Sequence, residues 1–194
     1  MDTVLAHHGC PPCAVEDYRR FVGNGGRELV TRALPPDRQD LADTVLREFR
    51  DTYHGHICDR TRPYPEMPEL LDRLTERGVR LAVLSNKIEE GTRELVRCLF
   101  GRWRFGAVLG EVEGRPKKPD PTAALLIAEQ LGLAPAQCVL VGDSAGDLQT
   151  AHRAGMIGVG ALWGYRSRAD LEAARPHALI ARPLELLGVL EKLA

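Results

Sequence analysis

Hydrophobic and polar positions follow two different patterns along this chain, and the change falls near Pro63. Before Pro63, apolar residues recur at helical spacing, most clearly over residues 38–54, where Leu41, Val45 and Phe49 share one stripe. Shorter helical segments precede this one at residues 1–8, 16–21 and 27–34. The pattern therefore predicts a small helical domain over residues 1–62.

From residue 63 onward, short apolar runs alternate with amphipathic segments. The runs predict strands at residues 79–84, 105–109, 138–141, 157–162 and 177–180. The segments between and around them predict helices at residues 66–77, 90–98, 121–131, 148–154, 169–174 and 184–193. Apolar runs of this kind are typical of strands buried on both faces of a parallel sheet. The alternation predicts an α/β fold, a Rossmann-like doubly wound parallel sheet over residues 63–194.

Two carboxylates follow the apolar run at residues 139–141, where a helix is expected to begin. Ligands of open α/β sheets bind beyond the carboxyl ends of the strands, and Asp143 and Asp147 are spaced to share one helical face. Two hard oxygen ligands suit Mg²⁺, which commonly combines one or two carboxylates with phosphate oxygens. The alternative is an N-cap aspartate followed by a solvated helix acid.

Two further segments carry groups suited to a phosphoryl ligand. Ser85 and Asn86 follow the first predicted strand and can donate hydrogen bonds to phosphate oxygens. Lys118 lies in a proline-rich loop that would hold its ammonium group in place. A hydroxyl, a lysine and paired aspartates on successive elements predict phosphate chemistry better than any one of them alone.

The glycine-rich segment at residues 23–26 has two interpretations. It is either a plain turn between helices or a loop whose backbone approaches a substrate, since glycine permits close approach. On the second interpretation, Gly25 lies against the substrate and Arg27 binds a substrate carboxylate.

Composition excludes several classes of partner. The 194 residues are 44% hydrophobic and 27% charged with a net charge of −1, which favours neither a nucleic-acid nor a membrane partner. Five scattered cysteines do not indicate a disulfide framework, so a reduced, cytoplasmic protein is expected. Cys10 and Cys13 form a Cys-x-x-Cys pair, for which a loop between helices is favoured over a redox or metal site.

Three segments together resemble motifs of the haloacid dehalogenase superfamily, and in particular its phosphoglycolate phosphatase subgroup. They are Leu-Ser-Asn-Lys at 84–87, Lys-Pro-Asp-Pro at 118–121 and Val-Gly-Asp-Ser-Ala-Gly-Asp at 141–147. The resemblance implies that Ser85 and Asn86 bind phosphate and that Lys118 neutralises the nucleophile and the transferring group. It also implies that Asp143 ligates Mg²⁺, with Asp147 supporting the ion directly or through water.

The resemblance further implies that the helical domain is a cap that closes over the site. The implied substrate is a small phosphorylated metabolite, 2-phosphoglycolate or a similar compound. A phosphoglucomutase-like member remains an alternative, whereas a dehalogenase needs no metal and fits the two aspartates poorly.

One motif of the family has no match in this sequence: the Asp-x-Asp-Gly-Thr segment that supplies the nucleophile. We therefore expect impaired turnover, with the strands at 81–84 and 139–141 flanking a gap and the fold less stable than its relatives. A fragment of a longer gene product and a genuine short variant both explain this difference. A catalytically inactive protein that binds phosphate compounds is the rival function.

Overall fold

The first part of the chain forms a helical unit with its own apolar core. The computed structural model describes residues 1–193, and its first helices are α1 Asp2–His7, α2 Val15–Phe21, α3 Gly26–Ala33 and α4 Ala42–His56. Val4, Leu5, Val30 and Val45 are almost fully buried at the centre of this unit. The helix predicted from residue 38 begins later, because Arg38 has non-helical backbone angles within a 3-10 segment.

The second part alternates helices and strands as the hydrophobic pattern predicts. The strands are β1 Leu81–Ile88, β2 Phe105–Glu111, β3 Val139–Gly142, β4 Ile157–Ala161 and β5 Ala178–Ile180. The helices are α5 Met67–Glu76, α6 Glu89–Phe100, α7 Thr122–Leu131, α8 Ala145–Ala154, α9 Arg168–Ala173 and α10 Glu185–Glu191. β1 runs beyond its predicted end at residue 84, because Ile88 pairs with Glu111 after an irregularity in register. Apolar periodicity could not mark this polar extension.

All strand pairs in residues 1–193 are parallel, which confirms the predicted α/β class. The strands form two sheets rather than one, with the orders β1-β2 and β3-β4-β5. β1 contains Ser85, and Asp143 directly follows β3. These two strands are therefore not hydrogen-bonded neighbours. Helices pack across both sheets: α5 contributes buried leucines, while α7 and α8 contribute small alanines that allow close packing.

A disulfide bond connects the helical unit to the parallel-sheet region. Cys58, just beyond α4, is bonded to Cys98 in α6, with their Cα atoms 6.7 Å apart. The expectation that the cysteines carry no disulfide is therefore wrong for this pair. Cys10 and Cys13 are free thiols in a loop between helices, and each donates to a backbone carbonyl. Across residues 1–193, no helix has the length and hydropathy to span a bilayer.

Candidate active site

A buried ion pair lies at the centre of the candidate site. The Nζ atom of Lys118 is 2.6 Å from Oδ1 of Asp147, and the two side chains are only 14% and 8% exposed. The same ammonium group donates to the carbonyl of Leu84 at 3.1 Å. An ammonium group has three donors, so one N–H of Lys118 remains for a ligand beyond these two contacts. Lys118 thus bridges the end of β1 and the beginning of α8.

Asp147 is fixed by its position in the first turn of α8. Its Oδ2 atom accepts from the Ser144 backbone N–H at 3.0 Å and from the Ser144 hydroxyl at 2.6 Å, in a capping box. Gly142 allows this approach, because a Cβ atom there would collide with the Asp147 side chain. Both carboxylate oxygens of Asp147 are therefore engaged by protein groups.

Asp143 is the more available carboxylate. Its Oδ2 atom accepts from the backbone N–H of Tyr165 at 2.9 Å, while Oδ1 has no hydrogen-bond donor within residues 1–193. Gly164 packs directly against this side chain. Burial raises the pKa of the Tyr64 hydroxyl, with smaller contributions from Tyr165 and Asp143, which indicates that these groups lie near one another.

Ser85 and Asn86 differ in how far the protein already uses them. The Oγ atom of Ser85 accepts from the Lys87 backbone N–H at 3.0 Å, and its hydroxyl proton has no acceptor in the described part of the chain. Asn86 is buried, and both its amide hydrogens and its carbonyl oxygen contact backbone groups of Gly23 and Lys118. Ser85 can donate to a phosphate, whereas the side-chain donors of Asn86 are occupied in this arrangement.

The glycine-rich loop lies against the same edge of the sheet. A Cβ atom on Gly25 would lie 2.8 Å from both Oε2 of Glu111 and Nζ of Lys117, and the residue has a φ of +95° that favours glycine. Lys117 and Glu111 form an ion pair at 2.8 Å, and the other oxygen of Glu111 is buried without a partner in residues 1–193. Arg27 lies elsewhere on the helical unit, where its exposed guanidinium pairs with Asp43.

Little space remains among the polar groups that follow Leu84 and those of the loop that carries Lys118. The cavity lined by Ser85, Asn86, Glu111, Lys117 and Lys118 has a volume of about 10 Å³. That volume is close to the minimum for one water molecule. An organic substrate does not fit inside this cavity as it stands.

The residues present fit a weakly held Mg²⁺ rather than a preformed cage. Within residues 1–193, no cluster contains three or more histidine, cysteine or acidic side chains placed to bind a metal ion. The free Oδ1 atom of Asp143 can still act as one direct ligand. One carboxylate together with phosphate oxygens and water is a common environment for Mg²⁺.

The sequence identified most of these groups but not their pairing. Lys118, Asp147, Ser85, Asn86 and Gly25 lie at one edge, as the order of motifs predicts. Glu111, Lys117, Tyr64 and Ser144 were missed. Only Ser144 left a recognisable signal, because a serine three residues before an acidic residue at a helix start indicates a capping box.

Comparison with known proteins gives consistent matches along almost the whole chain. A family model described as a haloacid dehalogenase-like hydrolase matches residues 5–155. The phosphoglycolate phosphatase of Aquifex aeolicus (strain VF5) is 31% identical over 191 residues, covering 98% of this chain and 87% of that protein. The phosphoglycolate phosphatase of Pseudomonas putida (strain KT2440) is 35% identical over 190 residues, and the match covers 93% of this chain and 68% of that protein.

Solved structures share the fold. A crystal structure from Lactobacillus delbrueckii subsp. bulgaricus, described as a candidate phosphoglycolate phosphatase, has a TM-score of 0.86 and 29% identity, and the match covers 95% of this chain and 87% of that one. The β-phosphoglucomutase of Clostridium difficile has a TM-score of 0.77 over 99% of this chain and 86% of its own, with 15% identity. At that identity the likeness concerns the fold alone.

Proposed function

Because this chain belongs to the haloacid dehalogenase-like hydrolase family, we propose that its site binds phosphate monoesters of the phosphoglycolate class in a phosphatase-type arrangement. The relatives named above carry the phosphoglycolate phosphatase name, and the proposal extends that substrate class to this chain. The substrate would be a small metabolite with a phosphate at one end.

The buried pair of Lys118 and Asp147 is the observation that carries this proposal. The Lys118 side chain, which is 14% exposed, is paired with a carboxylate, and one of its N–H groups remains free to meet an anion. Ser85 directly follows Leu84 in β1, and Lys118 contacts the Leu84 carbonyl. A point charge and a hydroxyl donor together suit the oxygens of a phosphoryl group.

Asp143 would hold Mg²⁺ through its free oxygen, with Asp147 contributing directly or through a water molecule. When bound, the ion would neutralise part of the negative charge of the phosphoryl group. Lys118 would orient the phosphate and screen its charge, and Ser85 would donate to an oxygen. The glycine-rich loop with its helical unit would act as a cap, excluding water when it closes.

Turnover needs a nucleophile as well as a binding site. Asp147 is tied to Lys118 and Ser144, and the Asp-x-Asp-Gly-Thr segment that supplies the family's nucleophile has no match in this sequence. We therefore propose that the 194-residue chain binds phosphate monoesters and hydrolyses them poorly. Phosphate capture without turnover is the second candidate function, and the engagement of Asp147 is the observation that favours it.

A combined binding and turnover assay tests these alternatives. The wild-type chain and the variant Lys118→Met are titrated with inorganic phosphate and with 2-phosphoglycolate, with and without Mg²⁺, while phosphate release is followed. Lys192→Met is the matched control, since Lys192 is an exposed lysine. We expect binding by the wild type and the control, weaker binding by Lys118→Met, and slow release. Absence of binding in the wild type would refute the proposal, and fast release would refute the assignment of weak turnover.

A further inference from the structure

Asn86 uses its whole side-chain amide on two distant segments of the chain. Its Oδ1 atom accepts from the Lys118 backbone N–H at 3.0 Å. Its Nδ2 atom donates to the Lys118 carbonyl at 3.2 Å and to the Gly23 carbonyl at 3.0 Å. An asparagine amide has two donors, so both are used.

These contacts join the glycine-rich loop to the lysine that would meet the phosphate. Lys118 receives a reciprocal pair of backbone contacts from one side chain, which fixes the loop that carries its ammonium group. The Asn86 side chain also donates to the Gly23 carbonyl. The neighbouring Val22 carbonyl accepts a hydrogen bond from Arg166 at 3.0 Å. The loop is therefore attached to the site at two adjacent carbonyl groups.

We infer that Asn86 is a positioning residue that couples closure of the glycine-rich loop to placement of Lys118, rather than a direct ligand of phosphate. This inference rests on the proposed phosphate-binding function. When the loop moves away, the amide loses its Gly23 partner. The Asn86 side chain then keeps only its two contacts with the Lys118 backbone. Loop position and phosphate affinity are thus linked through one buried amide.

The substitution Asn86→Asp separates this role from simple packing. It preserves shape and the acceptor for the Lys118 N–H, but it replaces the donor with an oxygen that faces two carbonyl groups. Gln130→Glu is the control, because it adds the same charge at an exposed position of α7 outside the loop and the site. We expect Asn86→Asp to bind inorganic phosphate about tenfold more weakly than the control, since lost hydrogen bonds to buried groups have effects of that order.

Two further measurements distinguish positioning from a structural role. Amide hydrogen exchange at residues 22–26 should rise in Asn86→Asp and stay unchanged in Gln130→Glu. The side-chain NMR resonance of the Lys118 ammonium group should shift in Asn86→Asp and stay unchanged in the control. If Asn86→Asp fails to fold by circular dichroism, Asn86→Ser removes the same donors without adding charge.

The outcomes separate this inference from the proposed function. Equal phosphate affinity in Asn86→Asp and wild type would overturn the inference, as would faster loop exchange without a change in affinity. If the wild type binds no phosphate, the proposed function fails. The coupling is then judged from the side-chain NMR resonance of the Lys118 ammonium group, and a resonance that Asn86→Asp leaves unchanged would overturn it.

Discussion

Removing the Cys58–Cys98 disulfide should destabilise the protein strongly. The bond closes a loop with a sequence separation of 40 residues and joins the end of α4 to α6. A cross-link over a loop of this length reduces the entropy of the unfolded chain, and the chain-entropy model gives about 4 kcal/mol of stabilisation at 25 °C. The perturbation is either chemical reduction or the double substitution Cys58→Ser with Cys98→Ser.

Equilibrium unfolding in urea measures the effect. With a slope of about 2 kcal/mol per molar, a loss of about 4 kcal/mol lowers the midpoint by about 2 M. The double variant serves as the control for the reductant, because its midpoint should not respond to reduction. Circular dichroism and tryptophan fluorescence can follow the transition in parallel.

Counting thiols tests the premise directly. Cys10, Cys13 and Cys138 are the free cysteines within residues 1–193, so protein purified without reductant should show three reactive thiols after denaturation. Five thiols together with a midpoint that reductant leaves unchanged would refute the reasoning. Three thiols with an unchanged midpoint would show that the loop is already restricted in the unfolded chain.

Three other substitutions give separate tests. Replacing Lys118 with methionine leaves the buried carboxylate of Asp147 unpaired, so the free energy of unfolding measured in urea should fall by roughly 3 kcal/mol. Leu148→Ala leaves a cavity at a fully buried position in α8 and should lower the free energy of unfolding by about 2–5 kcal/mol. Hydrogen bonding to His7 lowers the pKa of the Glu48 carboxyl. The ionised carboxyl therefore stabilises the fold above the ordinary glutamate pKa, and this stabilisation is lost as the pH falls through the lowered pKa. Glu48→Gln should destabilise the protein at neutral pH and have no effect in acid; an equal effect at every pH measured in urea would contradict this.

Local pattern was enough to predict the α/β class and the elements that carry most of the residues proposed for the site. The apolar run at residues 139–141 lies within β3, and a helix, α8, follows it. These features depend on neighbours in the sequence. Sequence periodicity and turn chemistry therefore predict them well.

The parts that escaped prediction depend on contacts between distant residues. The partner of Lys118 is 29 positions away, and the partner of Cys58 is 40 positions away. Nothing in the spacing of five cysteines identifies which two will bond. Asn86 was predicted to bind phosphate because its type and position allow it. Only the three-dimensional contacts reveal that its amide is already used.

Because the strands form two separate sheets, strand pairing does not fix the two parts of the candidate site relative to each other. Hydrogen bonds between strands hold each sheet rigid, but none joins β1 to β3. The spacing between Ser85 and Asp143 is therefore set by helix packing and by the ammonium group of Lys118. This group contacts Leu84 in β1 and Asp147 in α8. A ligand that takes up the remaining N–H of this ammonium group would bind to the side chain that links β1 to α8.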